Sequence, residues 1–190
     1  MQCNKCACFE RKLAANSAPS LLGIKAASLM SLDNTELDVY AGVDSFNRRA
    51  ARRGLKIKVL CQCGQRVLLM LYDERLLDRL LCDERRRGVL ERCGYGRLLS
   101  SEQCLDRLSA RCAQHKDFPH EIGIFLDYPV EDVEGFMVHK GCDFKLCGYW
   151  KVYGDEEKAR CTFRKHDKCS RYLCNKLVEG LNLYQILKLS

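Results

Sequence analysis

The sequence predicts an α+β fold, a small sheet covered by helices, and three observations carry that expectation. Leu55, Ile57, Val59 and Cys61 alternate with Lys56 and Lys58, and after Cys63-Gly64-Gln65 the chain returns as an apolar run from Arg66 to Tyr72. That is the pattern of a β-hairpin. Apolar residues at helical spacing, such as Leu76, Leu77, Leu80 and Leu81, follow it. Capping residues ahead of further apolar stripes punctuate the remainder.

In chain order, residues 5–15 read as a helix, and Pro19 and Gly23 punctuate the stretch after it. Ile24 to Leu32 reads as a strand. Asp33 or Asn34 is the expected N-cap of a helix with Glu36 in its first turn, Leu37, Val43 and Phe46 on its apolar side, and an end before Gly54. In the hairpin, the second strand is apolar at almost every position, as expected of a strand central in its sheet. Val89 and Leu90 begin a further short stripe. Ser100 and Gln103 form a capping-box pair ahead of Cys104, Leu105, Leu108 and Cys112, whose cysteines read as small core residues.

Pro119 and Pro129 each open a helical turn followed by acidic residues, where the helix dipole favours them. Phe144 to Tyr153 reads as one strand, with Trp150 toward the core. Asp155 caps a helix running to Gly180 with a break near His166, and residues 181–190 form an apolar tail packed on the body. Strand order stays open.

A chain of 190 residues, 47% hydrophobic and 30% charged, fits one domain (1–190) and needs no disulfide or metal to fold. Three prolines and 13 glycines leave no long linker. The N-terminus lacks the apolar stretch of a secretory signal, and the longest strongly apolar run is Val67 to Leu71, so a cytoplasmic protein without a membrane partner is expected. In a reducing compartment the 14 cysteines are core thiols, metal ligands or redox thiols, and no disulfide-linked partner is expected. The net charge of +7 comes largely from Arg48-Arg49-Ala50-Ala51-Arg52-Arg53 and Arg85-Arg86-Arg87. These runs either meet phosphate or form solvated helix faces; no stacking motif accompanies them, so nucleic acid is not the expected partner. The common phosphate-loop, dinucleotide, zinc-protease and serine-hydrolase signatures are absent.

Four ordered motifs stand out: Ala18-Pro19-Ser20-Leu21-Leu22-Gly23-Ile24-Lys25; Phe118-Pro119-His120-Glu121-Ile122-Gly123; Tyr128-Pro129-Val130-Glu131-Asp132-Val133-Glu134-Gly135-Phe136; and Trp150-Lys151-Val152-Tyr153. Together they resemble an uncharacterised family of Firmicutes proteins, many from anaerobic clostridia, classed as a domain of unknown function. The resemblance spans about residues 13–180. It leaves residues 1–8 as a Cys-rich N-terminal segment, expected to be mobile. It brings no reaction or substrate, and it implies one domain. The family pattern has a cysteine where this chain has Ser17, and a glycine where it has Asp127. Aspartate is among the residues that tolerate positive φ there.

The candidate sites follow from residue chemistry. Alternation along 144–153 places Lys145, Cys147, Tyr149, Lys151 and Tyr153 on one face. Nearby ammonium groups favour a Cys147 thiolate, a nucleophile or metal ligand; the alternative is an inert thiol on a half-exposed face. Tyr149, Lys151 and Tyr153 are the candidates for holding a cofactor. His120 and Glu121 are either a general base with its orienting carboxylate, metal ligands, or local structure at a helix start. Zinc or iron is the expected metal if one is bound, with Cys3, Cys6 and Cys8 and the Cys142/Cys147 region as leading places. His139-x-x-Cys142 and His166-x-x-Cys169 repeat a one-face spacing.

Three functional readings result: a binding or accessory protein with a thiol-rich surface, linked to metal or redox handling; a small enzyme built on His120, Glu121 and Cys147; and a basic nucleic-acid-binding or regulatory module.

Overall fold

The computed structural model describes residues 2–96, 100–114 and 118–189, with side chains from residue 7 onward. The fold is α+β. Three antiparallel strands, β1 (Ala27–Asp33), β2 (Leu55–Cys63) and β3 (Arg66–Asp73), pair in the order β1-β3-β2. The apolar run is thus the central strand, and the reason lies in its two faces. Val67, Leu69 and Leu71 belong to one buried core, while Leu68 and Met70 belong to another on the opposite side. A strand covered on both faces has no position for a polar residue.

The first core is closed by α1 (Gln2–Leu21), α2 (Val39–Ala50), α8 (Glu156–Val178) and α9 (Leu183–Ile186). Helix α1 extends beyond the expected 5–15 and carries Pro19 in its last turn. Its buried face, Phe9, Leu13, Ala14, Ala18 and Leu21, is continuous through the proline, and the chain leaves through Gly23 at φ 70°. Asp38, rather than Asp33 or Asn34, caps α2. Asp33 instead accepts from the Thr35 N–H in a local turn, and Asn34 accepts from the Val39 N–H.

The tail packs as expected. The Glu10 carboxylate accepts from the Leu183 N–H at the start of α9, Arg53 donates to the Leu187 carbonyl, and Arg49 lies 4.2 Å from the Tyr184 ring centroid. Half of the first arginine run therefore holds the C-terminus.

The second core is closed by α3 (Glu74–Leu81), α4 (Glu84–Arg92), α5 (Ser101–Ala113), α6 (Ile122–Phe125) and α7 (Val130–His139). The Ser100/Gln103 capping box opens α5, and Cys104 and Cys112 are buried beneath it.

Two expectations are corrected. The segment 144–153 is not one strand: it folds back on itself as β4 (Leu146–Cys147) and β5 (Lys151–Val152), paired antiparallel around a turn at 148–150. Gly148 permits the turn, since a Cβ there would come within 2.2 Å of the Phe163 ring. No break occurs at His166, where α8 runs on uninterrupted from its Asp155 cap. No helix among the described residues is long and apolar enough to cross a membrane.

Candidate functional site

Asp132 organises the site. It sits in the first turn of α7, but dipole compensation does not account for a carboxylate only 3% exposed. One oxygen accepts from the backbone N–H groups of Tyr153 (2.7 Å) and Gly154 (2.8 Å), and the other from Trp150 Nε1 (2.7 Å). A carboxyl group bound by three N–H donors is well satisfied, and these bonds fasten the β4–β5 hairpin onto α7. Gly135 permits that approach, since a Cβ would press into the Tyr153 ring.

Trp150 is buried, as expected. Its ring stacks on Tyr128 (4.8 Å between centroids) and meets Phe163 edge-on (4.6 Å). Such aromatic contacts fix both rings.

These fixed rings form part of a cleft of about 260 Å³ between the α6–α7 region and the hairpin. Phe118, Tyr128, Phe136 and Trp150 supply aromatic surface, Ile122 and Val133 aliphatic surface. Gly123 brings α6 close to α7, for a Cβ there would lie 2.8 Å from Val133. The polar groups on the lining include His120, Cys147 and Lys151. Cys147 and Lys151 are directly opposed across the β4–β5 pair. Opposed residues in an antiparallel pair project to the same side. The two residues thus share a side through cross-strand pairing rather than through alternation along one strand. Lys151 Nζ also donates to the Gly141 carbonyl (2.6 Å) and lies 4.9 Å from the Phe144 ring centroid.

Other sequence candidates lie elsewhere. Glu121 is 2% exposed and points away from His120; it accepts from Arg111 Nε and from the Tyr95 hydroxyl (3.2 Å), tying α5 to α6. The buried Glu121 charge helps push the Tyr95 hydroxyl far up, after burial itself. His120 is exposed and packs against the Phe136 ring at 4.9 Å. Tyr149 donates to Asp167 (2.8 Å) on α8, and Tyr153 donates to the Cys142 carbonyl (2.9 Å) and stacks on His139; neither lines the cleft.

Cys142 is exposed beyond α7, and Cys8 packs against the first core. The side chains of Cys3 and Cys6 lie outside the described residues. Among the described residues, no group of three or more His, Cys, Asp or Glu side chains is placed to hold a metal ion. Every cysteine whose side chain is described is a free thiol.

Sequence reasoning missed a buried polar layer behind the cleft. Lys25, 8% exposed, places Nζ 5.0 Å from the Tyr128 ring centroid. Burial depresses its ammonium to about 8, against the pull of Asp127. Asp127 takes φ 57°, and Arg86 clamps its turn by donating to its carboxylate (3.1 Å) and to the Tyr128 carbonyl (3.2 Å). Burial raises the Asp127 carboxyl, with Arg86 and Lys25 pulling it back.

His166, 3% exposed, faces the Tyr149 and Trp150 rings, and its Nδ1 has no hydrogen-bond partner. Burial, then the Lys25 charge, depresses it to about 4. Burial also pushes the Tyr128 hydroxyl up to about 12. The sequence signals for this layer were Lys25, a charge set among Ile24, Ala26 and Ala27 in the first of the four motifs, Asp127 before Tyr128-Pro129, and His166.

The arrangement offers a rigid aromatic slot with a cation, an imidazole and a thiol among its lining groups. Comparison with known proteins found no match among curated proteins or solved structures. A family model matches residues 13–187, and the chain belongs to that family, described as a protein of unknown function (DUF3793).

Proposed function

We propose that this chain is a small-ligand-binding protein, and that the cleft between α6–α7 and the β4–β5 hairpin receives a flat, largely apolar molecule with a polar end. One observation carries the reading: three of the four sequence motifs, separated along the chain, contribute His120, Tyr128, Phe136, Trp150 and Lys151 to the same cleft lining. Small-molecule sites are typically concave, mostly apolar and preformed, with few polar groups. This cleft has that composition, at a volume just below the usual size range. Free thiols throughout the described chain suit a reducing compartment.

The cross-strand Cys147–Lys151 pair favours a second reading, in which Cys147 captures an electrophilic ligand covalently.

Trp150 is the sole tryptophan and lines the cleft, so it reports occupancy directly. With 1-anilinonaphthalene-8-sulfonate as the probe, the expected result is saturable 1:1 binding with energy transfer from Trp150. Phe136→Ala and Lys151→Ala should each weaken it by roughly tenfold, the loss of about 1.4 kcal/mol of contact. Binding indifferent to both substitutions would overturn the assignment.

A further inference from the structure

Strict alternation along β2 would send Cys61 to the same side as Leu55 and Ile57. The structure does the opposite, because Leu60 is an extra residue in the ladder: Val59 pairs with Leu69 and Cys61 with Leu68. A bulge of this kind resets which side the following residues face. Beyond it, Cys61 packs with Leu68 against the second core, on the side covered by α5.

Helix α5 runs alongside β2 in the same direction. Lys56 feels the charge of Glu102, and Lys58 is paired with Asp106 at 2.5 Å. Further along, Cys112 of α5 lies close enough to Cys61 for the two thiols to interact electrostatically. Consistent with that, Cys61, Cys63 and Cys112 line one groove of about 290 Å³ with Arg66 and Phe118. Cys63 is exposed, Cys61 half-buried and Cys112 buried, so the three sulfurs form a path from solvent inward.

We propose that this groove is a thiol–disulfide exchange site at which a low-molecular-weight disulfide oxidises the protein to a reversible Cys61–Cys112 crosslink. The Cys63 thiolate attacks one sulfur of the reagent RSSR, forming Cys63–S–S–R and releasing RS⁻, which takes up a proton. The Cys61 thiolate then attacks the Cys63 sulfur and expels the second RS⁻. The Cys112 thiolate attacks Cys61 in turn, and Cys63 leaves as a thiol. In sum, two protein thiols are oxidised to one disulfide and RSSR is reduced to two RSH.

Burial pushes the Cys61 thiol up and the Cys112 thiol up to about 12, so proximity rather than acidity drives the internal steps. Phe118 lines both this groove and the aromatic cleft, so the crosslink forms beside the wall that the two share.

The test treats the reduced full-length protein with oxidised glutathione, alkylates the remaining thiols and maps peptides without reduction. The expected product is a linked Cys61/Cys112 peptide pair that dithiothreitol reverses. Cys63→Ser should slow its formation roughly tenfold, by removing the exposed first thiol. Cys61→Ser should abolish it and leave glutathione on Cys63. Glutathione retained on Cys63 of the unsubstituted protein, with Cys61 and Cys112 still alkylated as free thiols, would overturn the proposal without reliance on any variant folding.

Discussion

Replacing Lys25 by methionine should make the protein more stable at pH 7. The lysine is 8% exposed, and burial depresses its pKa from 10.5 to about 8. Below pH 8 both folded and unfolded chains carry the proton, and the folded chain bears the cost of holding it in the interior. A shift of that size corresponds to about 3 kcal/mol at pH 7. The ammonium recovers about 1 kcal/mol over the Tyr128 ring, and Asp127 keeps Arg86 when the lysine is gone.

Methionine fills similar space without the charge, so the net gain is about 2 kcal/mol. Between pH 8 and 10.5 the unfolded chain binds the proton more tightly than the folded one, so the stability of the unsubstituted protein rises with pH. The advantage of Lys25→Met should accordingly shrink across that window. Urea denaturation of both proteins at pH 7, 9 and 10 reads this directly as a closing gap in midpoint. A variant less stable at pH 7, or a gap that does not change with pH, would refute the reasoning.

Two further outcomes follow from buried polar groups. His166 is depressed from 6.5 to about 4, so stability should fall as the pH drops from 6.5 through 4, by up to about 3 kcal/mol; His166→Phe should flatten that limb in acid-titrated urea melts. Ser17 is fully buried with its Oγ unpartnered. Ser17→Cys should therefore stabilise the protein by about 1 kcal/mol, read as a higher urea midpoint, because an unsatisfied hydroxyl is replaced by a small apolar thiol.

What was legible in the sequence was whatever local pattern alone decides. The hairpin, its central second strand, the Ser100/Gln103 box and the Asp155 cap each depend on residues a few positions apart, and the structure has them. Most errors arose where distant contacts decide, and the choice of cap for α2 is a local exception. Asp33, Asn34 and Asp38 are all competent caps, and only the turn made by Asp33 with Thr35 leaves the role to Asp38.

The alternation across 144–153 continues through Gly148, yet the chain turns there because Asp132, far back in the sequence, gathers Trp150, Tyr153 and Gly154. The bulge at Leu60 carries no glycine to announce it, so the side on which Cys61 lies was hidden. Of the candidate site, His120, Cys147 and Lys151 were named from their chemistry and do share a cleft, whereas Glu121 was drawn away by Arg111. Tyr128 and Asp132 stood out only as parts of a motif and His166 only for its spacing to Cys169, because each gains its role only when segments from different parts of the chain come together.

The claim that the motif-lined cleft is the ligand site is tested most directly by nitrogen-15 correlation spectra during titration with the anilinonaphthalene sulfonate probe. The Trp150 indole N–H and the Gly123 and Gly148 amides should shift together and saturate, while the Lys56 and Lys58 amides of β2 stay fixed. Shifts centred on another surface, with those three resonances unmoved at saturation, would contradict the account.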